Sequence, residues 1–187
     1  MVRKCFYSFA YKDDNWRVGM VRNIGTIEGN PPAPDNDWET IKNGGDNGIR
    51  NWIAAQMKGR SCTIVLVGTD TANRRWINHE IRQSWNGKMG WNGKMGVVGI
   101  HINGLHDKDG KVSRKGKNPF DFISYDGSGK KLSSIVKCYT PSGSNSKERY
   151  AWLQKHIGNA ADEAVRIRME VNKRRGVMSP PLSRGAP

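Results

Sequence analysis

The residue pair with the clearest chemical potential is Trp76 and Glu80, which lie four positions apart in a segment that predicts a helix. Residues four apart share one face of a helix, so the indole and the carboxylate are expected side by side. A carboxylate held away from water stabilises developing positive charge, and an aromatic face attracts a cationic ring. The pair is therefore a candidate site, although this spacing is also common for a core residue and its solvated neighbour.

The element before this helix decides where the pair lies. An apolar run from Cys62 to Gly68 predicts a buried strand that ends just before the helix. In open α/β sheets, ligands bind outside the carboxyl ends of the strands. The sequence therefore places the pair beside the edge of the sheet where a ligand is expected.

The rest of the chain alternates between predicted strands and helices. The other predicted strands are residues 2–9, 97–102 and 132–139, and the predicted helices are residues 16–27, 46–58, a third one ending near residue 85, and 147–175. Alternation with buried, β-branched strands is typical of a parallel sheet with helices on both faces. The sequence therefore predicts an α/β fold with a doubly wound parallel sheet of about five strands. It leaves the second strand undetermined, with the region near Trp38 as its candidate position.

Local signals predict the ends and faces of the helices. In the first helix, the residues at helical spacing are Trp16, Met20, Ile24 and Ile27, and the polar loop before it offers Asp14 or Asn15 as the N-cap. For the helix with Glu80, the candidate caps are Thr69, Asp70 and Thr71. In the last helix, the predicted core stripe is Leu153, Ile157, Ala160, Ala164, Ile167 and Val171. Its basic residues, which include Arg166 and Arg168, are predicted to lie mainly on the solvated face.

Composition limits the class of protein. No apolar stretch approaches the roughly 20 residues needed to cross a bilayer, so we expect a cytoplasmic protein without membrane contact. The cysteines Cys5, Cys62 and Cys138 show neither metal-ligand nor disulfide spacing and are interpreted as small strand residues. No metal site is predicted; the turn from Asp107 to Gly110 lacks the glutamate that would complete a calcium loop.

The chain is strongly basic, with 31 lysines and arginines against 17 acidic residues and a formal net charge of +14. This charge attracts anionic ligands of any kind, including a dinucleotide. The basic residues are not interleaved with aromatic residues as in a base-stacking surface, and no nucleic-acid-binding motif is present. We therefore expect no specific nucleic-acid partner.

A perfect tandem repeat, WNGKMG, occupies residues 85–90 and 91–96. Two copies of six residues are too few for a repeat architecture. The repeat is interpreted as a duplicated turn between a helix and a strand, with a lid or a subunit contact as alternatives. The domain is expected to span residues 1–176, followed by a disordered tail over 177–187 that is rich in Pro, Ser and Gly.

Several blocks of the chain, in order, resemble the TIR-like domain of the Thoeris anti-phage sensor proteins. The matching segments are KCFYSFAYKDD (residues 4–14), VRN (21–23), TIVLVGTDTANRRWINHEI (63–81) and GIHINGLHDKDGKVSRKGKNPFDFI (99–123). The resemblance implies a flavodoxin-like TIR fold that hydrolyses or cyclises NAD+. It further implies a cyclic signalling nucleotide that activates a partner effector, a phage component as trigger, and self-association into an oligomer or filament.

The resemblance also implies roles for individual residues. Glu80 corresponds to the catalytic glutamate of TIR enzymes, four residues after Trp76. Ser8, Phe9 and Tyr11 correspond to the segment that lines the nicotinamide side, and Trp76 and Phe9 could flank the ring. Arg74 or Arg75 could neutralise the diphosphate. NAD+ is here a substrate, so no resident cofactor is expected.

Two other functions remain open at this stage. Ala10 and Tyr11 stand where many TIR enzymes carry arginines, and the extra turn at the repeat is unusual. These features favour a non-catalytic TIR-like adaptor that acts by self-association. A nucleic-acid-binding module is motivated by the net charge alone. Among the histidines, His101 is predicted to end a strand at the ligand edge, whereas His79, His106 and His156 are interpreted as surface residues.

Overall fold

The computed structural model describes residues 3–29, 43–87, 95–125 and 129–174. Its centre is a five-stranded, entirely parallel sheet in the order β2-β1-β3-β4-β5. The strands are β1 (Arg3–Ser8), β2 (Ile27–Glu28), β3 (Cys62–Val67), β4 (Gly96–His101) and β5 (Cys138–Tyr139). This order confirms the predicted doubly wound α/β fold and is the flavodoxin-like one.

Within the described ranges, four α-helices cover the sheet: α1 (Tyr11–Arg22), α2 (Gly45–Met57), α3 (Arg75–Asn86) and α4 (Ser146–Arg174). Alternate residues of a strand face opposite sides of the sheet. Accordingly, α1 and α4 pack on the face that carries Cys5, Ile64 and Ile100, whereas α2 and α3 pack on the face that carries Phe6 and Val65. Both faces are therefore buried, which explains why β3 is apolar throughout.

The first helix differs from its prediction because charged residues, not only apolar ones, form its buried face. It begins at Tyr11, within the predicted loop, and ends at Arg22 rather than Ile27. Its buried residues are Asp14, Arg17, Val18 and Val21. The candidate cap Asp14 thus lies inside the helix, and Trp16, one of the apolar residues at helical spacing, is 58% exposed. Apolar periodicity cannot detect a helix that buries a charged pair.

The second and fifth strands also differ from their predictions. β2 lies at Ile27–Glu28, in the segment assigned to the end of the first helix and the loop after it; Trp38 lies outside the described residues. In the segment predicted as one long strand, only Cys138–Tyr139 is a strand. The start of that segment, Leu132–Ser134, forms a short 3-10 helix in which Leu132 packs with Phe120 and Ile123 beside the sheet.

The last helix is confirmed within one residue at each end, and its core stripe is largely buried. The prediction for Arg168 was wrong. This side chain is buried, and its guanidinium carbon lies 4.1 Å from the centre of the Trp85 ring. Val171 is buried in the same cluster as Trp85. The final turns of α4 thus reach the end of α3, which a sequence pattern confined to one helix cannot reveal.

The remaining predictions for the scaffold are mixed. The three cysteines are free, with Cys5 and Cys62 buried and Cys138 half-buried. None of the candidate caps of α3 bonds to its first turn, because residues 71–73 form a separate 3-10 turn. No helix in the described part of the chain is long and apolar enough to cross a membrane. Residues 88–94 of the repeat and the predicted tail lie outside the described residues.

Candidate functional site

Helix α3 presents Glu80 to the sheet because its apolar residues recur every four positions. Ile77, Ile81 and Trp85 are buried against the sheet, and Glu80 lies on the same side of the helix. One turn later, the Ser84 hydroxyl lies 2.6 Å from the Thr63 hydroxyl of β3. This contact fixes α3 against the strand and with it the position of the Glu80 carboxylate.

The carboxylate of Glu80 meets the carboxyl end of β1. The hydroxyl of Ser8, the last residue of β1, donates a hydrogen bond of 2.5 Å to Glu80 Oε2. Both residues are buried. The neighbours β1 and β3 are where the strand order reverses, and ligands of doubly wound sheets bind at this switch point. The structure thus brings two of the candidate residues together at the expected edge.

Burial makes the carboxyl group of Glu80 a weaker acid than that of an exposed glutamate. Loss of hydration raises the pKa of its carboxyl group from 4.5 to about 8, and the hydrogen bond from Ser8 opposes this rise. Within the described part of the chain, no cationic side chain forms an ion pair with Glu80. A buried carboxyl group with a raised pKa and no cationic partner costs stability, and such groups are concentrated at functional sites.

Trp76 lies one turn before Glu80 and is half-buried. It packs against the cluster formed by Phe6, Ile53, Met57 and Met95 between α2 and α3. The guanidinium carbon of Arg75 lies 4.9 Å from the centre of its ring, and the ring of His79 meets it edge-on at 5.7 Å. Trp76 therefore has a packing role in addition to any contact with a ligand.

Phe9 and Tyr11 follow β1 but are not brought together with Trp76. Phe9 packs against the cluster on the α1 and α4 face, and the guanidinium carbon of Arg22 lies 5.2 Å from its ring centre. Tyr11 is 46% exposed, with its ring centre 6.2 Å from that of Phe9. The two rings thus mark the rim beside β1, on the other side of the sheet from the indole.

The two arginines considered for a diphosphate are each held by an acidic residue. Arg74 forms an ion pair with Asp13 of α1, and Arg75 forms one with Asp46 of α2. All four side chains are at least two-fifths exposed, so solvent screens these pairs. They connect the start of α3 to its neighbouring helices.

A second buried carboxylate at the switch point was missed from the sequence. Asp14 is 2% exposed, and a Cβ atom added to Gly68, directly after β3, would overlap its carboxylate. Burial raises its pKa to about 6, against the opposing charge of Arg17, 3.5 Å away. No signal in the sequence indicated this role, because Asp14 lies in a segment interpreted as a loop. Its contact with Gly68 becomes visible only in the folded structure.

The long segment after β4 covers part of this edge. Arg17 donates to the backbone oxygens of Leu105, at 2.9 Å, and Lys111, at 3.0 Å. Further along, the hydroxyl of Thr69 donates to the backbone oxygen of Arg114, and a side chain at Gly116 would overlap the backbone at Gly68. Residues 105–116 are therefore packed on the carboxyl end of β3.

The chemistry of the described groups is acid–base and electrostatic. No cluster of three or more His, Cys, Asp or Glu side chains suited to a metal ion occurs among the residues that the structure describes. The buried polar side chains described above at the switch point include Glu80, Ser8, Asp14 and Arg17. Arg17 pairs with Asp14, so the carboxyl group of Glu80 is the one available to stabilise a positive charge on a ligand.

Comparison with known proteins agrees with this fold. The family model described as "Thoeris protein ThsB, TIR-like domain" matches residues 6–107, which begin within β1 and include β3, α3 and β4. A protein of Bacillus cereus (strain MSX-D12), named "Putative cyclic ADP-D-ribose synthase ThsB1", is 37% identical over 130 residues. The alignment covers 67% of this chain and 65% of that protein, just under two thirds of its length. The chain belongs to the ThsB family of Thoeris proteins and carries its TIR-like domain.

Proposed function

We propose that this protein cleaves the bond between nicotinamide and ribose in NAD+ and converts the ADP-ribosyl part into a cyclic signalling nucleotide. The observation that carries the proposal is the buried carboxyl group of Glu80 at the carboxyl end of β1, hydrogen-bonded to Ser8 and without a cationic partner among the described residues. The name of the Bacillus cereus relative supports the same reaction class.

The reaction suits a single fixed carboxylate. Nicotinamide leaves NAD+ as a neutral molecule and takes the bonding electrons, so its departure requires no acid. Positive charge then develops on the ribose, and a carboxylate in a site of low polarity stabilises it more than water would. The pyridinium cation of the bound substrate would also lower the pKa of Glu80 toward its ordinary value, because an opposite charge favours the ionised form.

The second step determines the product. Attack by water on the ribosyl cation gives ADP-ribose and a proton, whereas attack by a nucleophile of the substrate's own adenosine half closes a ring. Cyclisation requires that this half folds back and that water is excluded. In this scheme Ser8 orients the carboxylate, Trp76 lies beside the ring, and Phe9 and Tyr11 form the rim next to β1.

Substitution of Glu80 by Gln tests the assignment. Gln is similar in size, and its amide oxygen can accept the hydrogen bond from Ser8, so the fold should be retained. We expect nicotinamide release to fall by about 100-fold or more, as for the loss of one preorganised electrostatic group. The matched control is Glu170→Gln, an exposed residue of α4 whose partner is Arg166, which should retain full activity.

The measurement is nicotinamide release and product mass, under conditions that promote assembly. Equal activity of Glu80→Gln and the unchanged protein would contradict the role of Glu80. We further propose, from the family assignment, that activation involves self-association and a phage component as trigger, and that the product acts on a partner effector. Product masses from infected cells that carry each variant would test this part.

A non-catalytic adaptor is the second candidate. It is favoured by the packing role of Trp76 in the cluster between α2 and α3 and by the ion pairs that engage Arg74 and Arg75. The adaptor predicts intact NAD+ under every assembling condition.

A further inference from the structure

A small cavity lies at the carboxyl end of β4, away from α3 and Glu80. Its volume is about 160 Å³, and its lining residues come from β4, the segment after it, the residues after β5 and the first turn of α4. These residues are His101, Asn103, Gly104, Leu105, Lys115, Thr140, Pro141 and Arg149. Two of them, Leu105 and Lys115, also belong to the segment of residues 105–116 that packs on the carboxyl end of β3, and the backbone oxygen of Leu105 accepts from Arg17.

The charged residues that line this cavity are both cationic. Lys115 donates to the Thr140 hydroxyl at 2.9 Å, and this contact leaves the hydroxyl proton of Thr140 available to another acceptor. Arg149 donates to the backbone oxygens of Gly143 and Gly104. No carboxylate of the described residues lines this cavity or forms an ion pair with Lys115 or Arg149. Hydrogen bonds from Ser144 and, to a smaller extent, the charge of Arg149 lower the pKa of the exposed carboxylate of Glu148, but Glu148 is not among the lining residues. Within the described part of the chain, no negative group therefore balances the two positive charges inside the cavity.

His101 supplies a buried polar group in the same lining. It is 5% exposed, and its Nδ1 atom has no hydrogen-bond partner among the described residues. Burial, with a smaller contribution from Lys115, lowers the pKa of its imidazole to about 4. A buried polar atom without a partner is costly in a native structure, and an anion in the cavity would supply an acceptor for the imidazole N–H.

The size of the cavity selects the ligand. Sites for whole drug-sized ligands occupy about 300–1,000 Å³, whereas this cavity is about half of the smallest of these. It suits a single tetrahedral anion rather than a dinucleotide. The start of α4, a 29-residue helix with Arg149 in its first turn, adds the partial positive charge of a helix N-terminus.

We propose that this cavity is an anion site that binds one phosphate group, supplied either as inorganic phosphate or by a nucleotide with a terminal phosphate. Lys115 and Arg149 would balance its charge, and the Thr140 hydroxyl and the His101 imidazole would donate to its oxygens. The site does not depend on the proposed function, because it lies on β4 and α4 rather than on α3.

Nuclear magnetic resonance of the imidazole groups tests the proposal, since the chain has four histidines. Inorganic phosphate is added at constant ionic strength, with chloride as the reference anion. We expect a saturable shift of the His101 signals and little change at His106, which is exposed. Lys115→Gln should weaken phosphate binding about 10-fold, the effect of losing one charged hydrogen-bond donor.

The matched control is Lys117→Gln. Lys117 is also exposed, lies two residues away in the same segment and is not part of the cavity lining. The Lys117→Gln substitution removes the same charge as Lys115→Gln and should leave the affinity for phosphate unchanged. Equal weakening by the two substitutions, or a response of His101 no larger than that of His106, would overturn the proposal, because either result indicates non-specific attraction to a chain of net charge +14.

Adenosine monophosphate and adenosine distinguish the sources of the phosphate. Tighter binding of the nucleotide than of inorganic phosphate supports a nucleotide ligand, and equal binding supports free phosphate. Adenosine that shifts His101 as strongly as the nucleotide would overturn the proposal, because the phosphate would then contribute nothing.

Discussion

At the scale of single residues, the main feature is a carboxyl group that the fold buries at a cost. Glu80 lies against Ser8 without a cationic partner in the described part of the chain, and burial raises its pKa to about 8. A glutamate selected only for stability would be exposed or paired. A ligand that brings positive charge stabilises the ionised carboxylate and so offsets the cost of burying it. The same group that lowers the stability of the free protein is therefore suited to the proposed reaction.

The cost predicts how stability depends on pH. Below pH 4.5 the Glu80 carboxyl is protonated in both states, so Glu80→Gln and the unchanged protein should have similar free energies of unfolding. Between pH 4.5 and about 8 the unfolded chain releases the proton and the folded one retains it, so stability is lost as the pH rises. Above pH 8 the Gln variant should be more stable by a few kcal/mol, at about 1.4 kcal/mol per pH unit of difference in pKa.

Denaturant unfolding of the unchanged protein and of Glu80→Gln from pH 4 to 9 measures the difference between their free energies of unfolding. Because both proteins contain the same other titrating groups, the contributions of those groups cancel in this difference. A difference that does not change with pH would show that Glu80 is already ionised and hydrated in the folded protein. The electrostatic argument for its role would then be wrong.

At the scale of elements, the position of the long helix depends on one glycine. α4 crosses the start of β4 so closely that a Cβ atom at Gly96 would lie 2.6 Å from the backbone nitrogen of Val165. The same helix contributes Leu153 and Ile157 to the core on one face of the sheet and reaches Trp85 with Arg168. Its contact with β4 therefore sets the packing of both ends.

We expect Gly96→Ala to lower the free energy of unfolding by about 1–3 kcal/mol, the usual cost of inserting a carbon into a packed interior. The control is Gly19→Ala in α1, where an added Cβ atom meets nothing within 4 Å. Gly19→Ala should stabilise the protein by about 0.5–1 kcal/mol, because alanine favours a helix. Urea unfolding measures both. Equal effects of the two substitutions would contradict the close contact between α4 and β4.

At the scale of the whole molecule, the tandem repeat connects α3 to β4. Its two ends pack in different clusters of the core. Trp85, the first residue of the repeat, is buried beneath Arg168, and Met95, near its end, is fully buried between α2 and α3. The backbone nitrogen of Met95 donates to the backbone oxygen of Ser84 at 3.0 Å. The ends of the connection are thus adjacent, and its length is not set by a distance to be spanned.

Deletion of six residues, 88–93, leaves one WNGKMG copy that still begins at Trp85 and ends with Met95 and Gly96. We expect the protein to fold with a change of about 1 kcal/mol or less, because shortening a loop has a small entropic effect. If the enzyme proposal holds, nicotinamide release should continue. Loss of oligomers or of anti-phage function in the folded deletion variant would instead support the adaptor, and loss of folding would contradict our interpretation of the repeat.

The sequence predicted much of the fold because its apolar patterns are local. β3 and β4 are continuous buried runs, and the core stripe of α4 recurs at helical spacing, so these elements could be placed within a residue or two. The first helix was misplaced because Asp14 and Arg17 lie on its buried face, and the fifth strand was overextended because Leu132 packs in a 3-10 helix. In both cases contacts with distant segments outweighed the local pattern.

For the site, the spacing of Trp76 and Glu80 and the apolar strand before them placed the carboxylate at the ligand edge. The sequence alone could not show that Ser8 would bond to Glu80, that Asp14 would meet Gly68, or that His101 and Lys115 would line one cavity. The first two pairs lie more than 50 residues apart, and the parallel order of the strands brings them to one edge of the sheet. His101 and Lys115 are closer in the chain, but the path of the segment after β4 decides that they line the same cavity. Residue types and their periodicity are set by the sequence. The burial of a side chain, its pKa and its hydrogen-bond partners are decided only when distant segments pack together.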